Sequence, residues 1–310
     1  MACTTRTIVG LFTWLLLATA AARAQSLAAG ISVSVRGEPA QPGAVLALTL
    51  TSAVDLSSVH ARLLERTIVF ARGESPRVWR ALAGLDVADP VRSATLLVTS
   101  TLGDGTPILS SRTIEVLPRA FPSRSLRVAG RFVDPSPQEI ERIRTEADRL
   151  EAIFGTVTLP AGIETFVAPV PGAAGHNFGS RSVFNGEARA PHAGEDFRGA
   201  AGTRVAAPGG GRVVLAEDLF FTGQTVVIDH GFGLYSLLAH LSRIDVPAGT
   251  EVARGDAVGL LGATGRVTGP HLHWTVRLGG ARVDPLRLLA LLAPAQSGAA
   301  SVRRPSPAAK

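Results

Sequence analysis

Two histidines separated by a single residue, His271 and His273, sit in the stretch Gly269-Pro270-His271-Leu272-His273-Trp274-Thr275-Val276. Leu272, Trp274 and Val276 alternate with His271, His273 and Thr275. Side chains on a strand alternate between faces, so this pattern predicts two imidazoles side by side over a buried apolar face. Paired imidazoles suit metal binding or proton transfer. Two other stretches supply matching groups: His192 and Asp196 in Pro191-His192-Ala193-Gly194-Glu195-Asp196, and His240 in Leu238-Ala239-His240-Leu241. A four-residue spacing would align His192 and Asp196 on a helix, but Pro191, Gly194 and Gly199 argue for a loop running into a strand. The only cysteine is Cys3, so any metal must be held by imidazole and carboxylate, and a cysteine protease is excluded. A catalytic zinc site needs three such ligands and one position left for water.

The elements that must position these groups are mostly strands. In the second half, short β-prone runs alternate with the turns Gly209-Gly210-Gly211, Gly231-Phe232-Gly233 and Gly262-Ala263-Thr264-Gly265, which predicts an antiparallel β-domain over 156–295. A short helical run, Leu286 to Leu292, closes it. Residues 25–117 read as a β-sandwich of immunoglobulin-like type. There Ile31, Val33 and Val35 alternate with polar residues, and Leu46, Leu48 and Leu50 alternate with Val45, Ala47 and Thr49. Asp104-Gly105 marks a turn between two further strands, Ala94 to Thr101 and Thr113 to Leu117. Residues 118–155 form a linker, Pro118 to Pro135, and one helix. Ser136, Pro137 and Glu139 spell a capped start, Ile140, Ile143, Ala147, Leu150 and Phe154 a single apolar stripe, and Gly155 a stop. The stripe predicts packing between the two domains or against the second. The fold class is thus mainly β, a sandwich and an antiparallel domain joined by a helix.

The chain has 310 residues, a formal charge of +6 and 31 basic residues, of which only Lys310 is lysine. The basic residues are scattered and the aromatics few, which excludes a nucleic-acid partner and fits weak attraction to an anionic polymer or surface. At the N-terminus, Arg6, an apolar run from Ile8 to Ala20 and Ala22-Arg23-Ala24 read as an export signal over 1–24. The run is short for a membrane span, so no integral span is expected in the mature chain, an uncleaved anchor being the alternative. The tail 296–310 is Ala-, Ser-, Pro- and Arg-rich and is expected to be disordered.

The stretches "FGSRSVFNGEARAPHAGEDF", "GTRVAAPGGGRVV", "VVIDHGFGLYSLLAHLS", "GDAVGLLGATGRVTGPHLHW" and "VDP" resemble the lysostaphin-like, LytM-type zinc metallopeptidases that cut peptide bonds in bacterial peptidoglycan. The resemblance covers Phe178 to Leu289. It implies a Zn2+ site held by His192, Asp196 and His273, with His240 and His271 as catalytic imidazoles. It implies an endopeptidase acting on peptidoglycan stem peptides or cross-bridges; the export signal suggests the periplasm, where the resemblance points to bridges of D-Ala–diaminopimelate type. The alternative is a non-catalytic wall-binding regulator of another hydrolase, disfavoured because all five residues are present. A regulatory envelope protein is a candidate partner. Asn185 and Arg181 are candidates for substrate contacts in the groove. The stretch "VPAGTEVARGDAVGLLGATG" is also similar to biotinyl and lipoyl carriers, but it lacks the lysine they modify.

Two positions depart from the family pattern. Glu195 stands where an apolar residue is usual, and should either face solvent or perturb the site. Leu238 stands where a tyrosine is common, with Tyr235 nearby. His60, His176 and His230 are expected in surface, loop and structural roles.

Overall fold

The computed structural model describes residues 30–37, 39–126, 134–159, 163–184, 187–188 and 190–293; the expected export segment and the tail lie outside them. Eight strands come first: β1 (Ser32–Arg36), β2 (Val45–Thr51), β3 (Leu56–Leu63), β4 (Arg66–Val69), β5 (Ala71–Arg72), β6 (Val78–Gly84), β7 (Ser93–Leu102) and β8 (Pro107–Glu115). They form two sheets, β1-β2-β6-β5 and β4-β3-β7-β8. Leu46, Leu48 and Leu50 pack with Trp79, Ala81, Val59, Leu63, Leu96 and Val98 between them. The other face of β2 is not solvated either. Val45 and Ala47, with Leu82 of β6, join the core of the C-terminal sheet. That is why Val45 to Leu50 reads as a nearly continuous apolar run.

The linker contains a strand that the sequence analysis did not anticipate, β9 (Ser123–Leu126). It pairs in parallel with β10 (Arg181–Phe184), which pairs antiparallel with β11 (Glu187–Ala188). Its residues, Ser-Arg-Ser-Leu, carry no run of alternating apolar side chains from which a strand would be read.

The helix α1 (Pro137–Phe154) has the expected capping box: Ser136 Oγ accepts the Glu139 amide at 3.3 Å, and Glu139 Oε2 accepts the Ser136 amide at 2.9 Å. Its apolar stripe is only partly used. Phe154 is buried and Leu150 half-buried, but Ala147 is exposed and Ile140 is 53% exposed. Only the last turn reaches the apolar sheet face, where Phe154 meets Tyr235 edge to face at 5.5 Å. Farther up, polar contacts hold the helix: Arg142 to Asp218 (3.0 Å), Arg149 to Glu217 (2.8 Å), and Glu146 accepting the Phe220 amide (2.8 Å). Tyr235 donates its hydroxyl to the Thr156 carbonyl at 2.8 Å, so it anchors this junction rather than replacing the tyrosine absent at Leu238.

Nine strands build the C-terminal sheet: β12 (Gly194–Arg198), β13 (Arg204–Ala206), β14 (Gly211–Leu219), β15 (Gly223–Asp229), β16 (Leu234–Ile244), β17 (Glu251–Val252), β18 (Ala257–Leu261), β19 (His271–Leu278) and β20 (Ala281–Val283). Its spine runs β12-β19-β16-β15-β14-β17, with antiparallel pairing at every step. Leu272, Trp274 and Val276 face a core with Phe197, Leu238 and Leu288, as the alternation predicted. The helix α2 (Pro285–Leu292) packs on that face, with Asp284 accepting the Leu286 amide at 2.9 Å. The sandwich is tied to this sheet by Asp86. Its carboxylate accepts from the Arg282 amide (2.7 Å), Nε (3.0 Å) and Nη2 (2.6 Å).

His230 follows β15 and is buried. Its Nδ1–H donates to the Gly210 carbonyl at 2.7 Å, and its Nε2 meets Ser236 Oγ at 2.8 Å. Burial pushes its pKa down to about 4. The folded imidazole is therefore neutral where the unfolded one, with a pKa near 6.5, is charged. Below pH 6.5 the unfolded chain takes up a proton that the folded chain refuses, so stability falls as pH drops toward 4, by up to about 3 kcal/mol. Denaturant unfolding of wild type and His230→Asn between pH 7 and 4.5 should show a shallower loss in the variant; equal slopes would contradict this assignment.

Candidate metal centre

The edge strand β12 and its neighbour β19 set Gly194 opposite Thr275, Asp196 opposite His273 and Arg198 opposite His271. Opposed residues share a face, so Asp196 and both imidazoles project together. Gly194 makes the close approach feasible. A Cβ there would lie 2.4 Å from the Trp274 carbonyl oxygen and 2.9 Å from His273 Cε1. His192 lies just before β12, as a loop running into a strand would place it.

His240 reaches the same face by a less regular route. Ala239, not His240, is the partner of His273 across β16. Strict alternation would turn His240 into the core. Between β15 and β16, however, Gln224 pairs with Leu241 and Val226 with Leu238, so β16 carries one extra residue. His240 sits in this bulge with φ +65°, a left-handed conformation uncommon for a residue with a side chain. The strain is held by Thr264. Its carbonyl accepts His240 Nδ1–H at 2.8 Å, while its hydroxyl donates to the Leu241 carbonyl (2.7 Å) and accepts the Gln224 amide (2.9 Å).

Asp196 Oδ1 is the centre of the constellation: 2.8 Å from His273 Nδ1, 3.2 Å from His192 Nε2 and 3.7 Å from His271 Nε2. One donor atom each from His192, Asp196 and His273 lies within 4.8 Å of the others. The His240 ring is 4.9 Å from that of His271 and 5.8 Å from that of His273, centre to centre. A carbonyl oxygen can only accept, so each ring nitrogen facing one carries the proton. Nδ1 of His192 faces Asn177 O (3.2 Å), Nδ1 of His240 faces Thr264 O (2.8 Å), and Nδ1 of His271 faces Gly269 O (2.9 Å). In all three the neutral ring therefore offers a lone pair at Nε2. For His273 the roles reverse, with Nε2 on Thr275 Oγ1 at 2.9 Å and Nδ1 turned to Asp196.

This arrangement fits zinc. Two ligand atoms about 2.0–2.1 Å from a tetrahedral ion stand about 3.3 Å apart, close to the separations between Asp196 Oδ1 and the His192 and His273 nitrogens. The donors are imidazole and carboxylate, and partners outside the set fix each imidazole's tautomer. Burial alone would raise the Asp196 carboxyl, but hydrogen bonds from His192 and His273 outweigh it and hold the group well below the usual carboxylate range. Burial, reinforced by the neighbouring His273 and His271, pushes His240 down to about 3, so this ring is neutral at physiological pH.

The five residues border an open groove of about 570 Å³, which Asn177, Arg198, Phe221 and Arg266 also line. Arg181 is exposed and is not among the lining residues. Its amide donates instead to the Pro122 carbonyl at 2.8 Å, beside the unanticipated strand β9. Asn185 lies outside the described residues. His60 and His176 are both exposed. Sequence reading did not single out Asn177, whose Nδ2 donates to Asp196 Oδ2 at 2.6 Å and whose Oδ1 accepts the Asp196 amide at 3.1 Å. An isolated asparagine in a glycine-bounded turn gives no signal beyond turn chemistry. Of the two alternatives for Glu195, exposure to solvent does not hold: strand alternation turns it away from Asp196, and it is buried on the opposite face.

Residues 190–285 match the model of peptidase family M23. The chain is 44% identical over 98 residues to the peptidoglycan DD-endopeptidase ShyA of Vibrio cholerae, covering 32% of this chain and 23% of that one. It is 38% identical over 95 residues to the DD-carboxypeptidase/endopeptidase Mpg of Neisseria meningitidis, covering 31% and 22%. The matched stretch thus spans under a quarter of these curated relatives. A crystal structure assigned to a peptidase M23 from Pseudomonas aeruginosa superposes with a TM-score of 0.61 at 31% identity, over 82% of this chain and 96% of that one. A match of that extent, with the five-residue constellation inside the matched region, places the chain in peptidase family M23.

Proposed function

We propose that this chain is an exported zinc endopeptidase that hydrolyses peptide bonds in peptidoglycan, with His192, Asp196 and His273 as metal ligands and His240 and His271 as catalytic imidazoles. The observation that carries the reading is the convergence of three donor atoms within 4.8 Å, with two further imidazoles beside them in one open groove. Zinc, when bound, makes water nucleophilic near neutral pH and polarises a carbonyl. The chain's own groups do the rest. The Nε2 lone pairs of His240 and His271 can accept a proton from the attacking water and pass it to the departing amine nitrogen. His240, held neutral by burial, is suited to orienting a reactant without itself bringing charge. The groove admits an extended peptide. ShyA is named a DD-endopeptidase and Mpg a DD-carboxypeptidase/endopeptidase, which supports a D,D bond of the D-Ala–diaminopimelate type as substrate.

The complete set favours hydrolysis over a non-catalytic regulatory role. As part of the same reading we retain a signal over 1–24, the sandwich over 25–117, linker and helix over 118–155 and the peptidase domain over 156–295. No helix among the described residues is long and apolar enough to cross a membrane. A periplasmic location and a regulatory envelope partner belong to this proposal too.

Incubating the chain with purified sacculi should release cleaved muropeptides, detected by mass analysis, and a chelator should stop the release; chelator-resistant cleavage would overturn the metal mechanism. His273→Ala should lose both zinc, measured by elemental analysis, and cleavage. His271→Ala should keep zinc but lose about 10²- to 10⁴-fold in rate, the scale of a positioned acid–base group. Zinc loss in His271→Ala, with retention in His273→Ala, would exchange their roles.

A further inference from the structure

The turn that precedes β12 straddles the free edge of the sheet. Residues 173–177 run along β12, with the Gly175 amide donating to Asp196 O (2.8 Å) and the Arg198 amide to Ala173 O (3.1 Å). Asn177 thereby presents different groups to the two faces. Toward the site, its side chain makes the two contacts that grip Asp196, one to Oδ2 and one to the Asp196 amide, which leaves Oδ1 for the donor cluster. Its carbonyl accepts His192 Nδ1–H, which directs His192 Nε2 toward that cluster. One residue thus orients two of the three proposed ligands.

Toward the core face, the same turn meets Glu195. The amides of Asn177 (3.3 Å) and Phe178 (3.4 Å) donate to Glu195 Oε2, and the His176 amide bears on the same carboxylate. His176 has φ +52°, a left-handed step that lets successive amides converge on an anion. Glu195 is 1% exposed, and its Oε1 has no hydrogen-bond partner. A buried carboxylate with one idle oxygen is costly to the fold. Packing would be better served by an apolar side chain, so the carboxylate's contribution lies in what Oε2 holds. From the other side the turn is backed by the N-terminal region. Arg119 lies over the Phe178 ring at 5.5 Å and over the Phe121 ring at 5.0 Å, and a Cβ on Gly43 would stand 2.4 Å from Phe178 Cε1.

We infer that Glu195 is a positioning residue for the metal centre: by anchoring the 176–178 amides on the reverse face of β12 it fixes Asn177, and through Asn177 it aims Asp196 and His192 at the ion. The inference rests on the ligand assignment proposed above. Orienting groups behind metal ligands typically change metal affinity 10- to 100-fold.

The test measures zinc dissociation constants by chelator competition, and the absorption spectrum of bound Co2+, for wild type, Glu195→Val, Glu195→Gln and Asn177→Ala. Glu195→Val should change its metal-free melting temperature little, because removing the idle buried oxygen offsets the lost acceptor of the Asn177 and Phe178 amides. It should nevertheless bind zinc about tenfold or more weakly and alter the Co2+ spectrum, and Asn177→Ala should do the same. Glu195→Gln, which keeps an oxygen acceptor for the amides, should stay near wild type. Zinc binding by Glu195→Val as tight as wild type, or weakened only alongside a matching fall in metal-free stability, would overturn the inference. If His273→Ala also retained zinc, the ligand assignment itself would have failed; if only the Glu195 variants retained it, this inference alone would fall.

Discussion

Asp196 Oδ1 stands within 3.7 Å of nitrogens from three imidazoles, and the organisation of the C-terminal sheet follows from bringing those groups together. A metal ion needs the lone pairs of these rings turned to one region, so the tautomer of each ring matters. Main-chain carbonyls set it. Asn177, Thr264 and Gly269 each take the Nδ1 proton of one ring, and Thr275 Oγ1 takes Nε2 of His273. None of these orienting groups is itself titratable, so the tautomers do not shift with small changes of pH. What remains directed inward is a set of imidazole nitrogens and one carboxylate, which is what a divalent ion with an open position requires.

The backbone contributes two exceptions to regular sheet geometry, and both sit at the site. The bulge in β16 rotates His240 out of the core, and Thr264 pins it from the adjoining turn. At the opposite margin, Gly194 lets β12 approach β19 more closely than any residue with a Cβ would allow. Irregular or strained backbone costs free energy and survives only where the surroundings enforce it. Their flanking strands are among the most buried parts of the molecule, with Leu238, Leu241, Leu272 and Trp274 at 0% exposure. The apolar layer beneath therefore acts as the rigid support against which the polar layer above is held out of its default geometry.

The N-terminal sandwich is joined to this support rather than suspended from it. Val45, Ala47 and Leu82 enter the C-terminal core, Asp86 grips Arg282, and Arg119 pairs with Asp284 while covering Phe178. Phe178 directly follows Asn177, so the junction between the two β units borders the turn that orients Asp196. The helix α1 is tied on the far side of the same sheet, mostly by surface ion pairs that are individually weak. Its firm attachment is the Phe154–Tyr235 contact at the last turn.

Several features were legible in the residues alone. The alternation of His271 to Val276 gave the strand, its buried face and the pairing of the imidazoles. Ser136 and Glu139 gave the start of α1, and Pro191 with Gly194 removed a helix from consideration around His192. Local pattern suffices there because period, caps and turn residues are properties of short segments. Other features lay beyond it. The strand β9 forms on a partner 58 residues later, Arg181 opposite Ser123, and nothing in Ser-Arg-Ser-Leu signals it. The same distance from local pattern explains why Ile140 and Ala147 look like core yet lie exposed. Residue types and spacing thus determined which groups were available for chemistry and which face of its strand each would take. Tertiary structure decided that His240 joins them through a bulge, that Asn177 grips Asp196, and that Glu195 holds the turn from behind, because each depends on strands and turns distant in sequence pressing against one another.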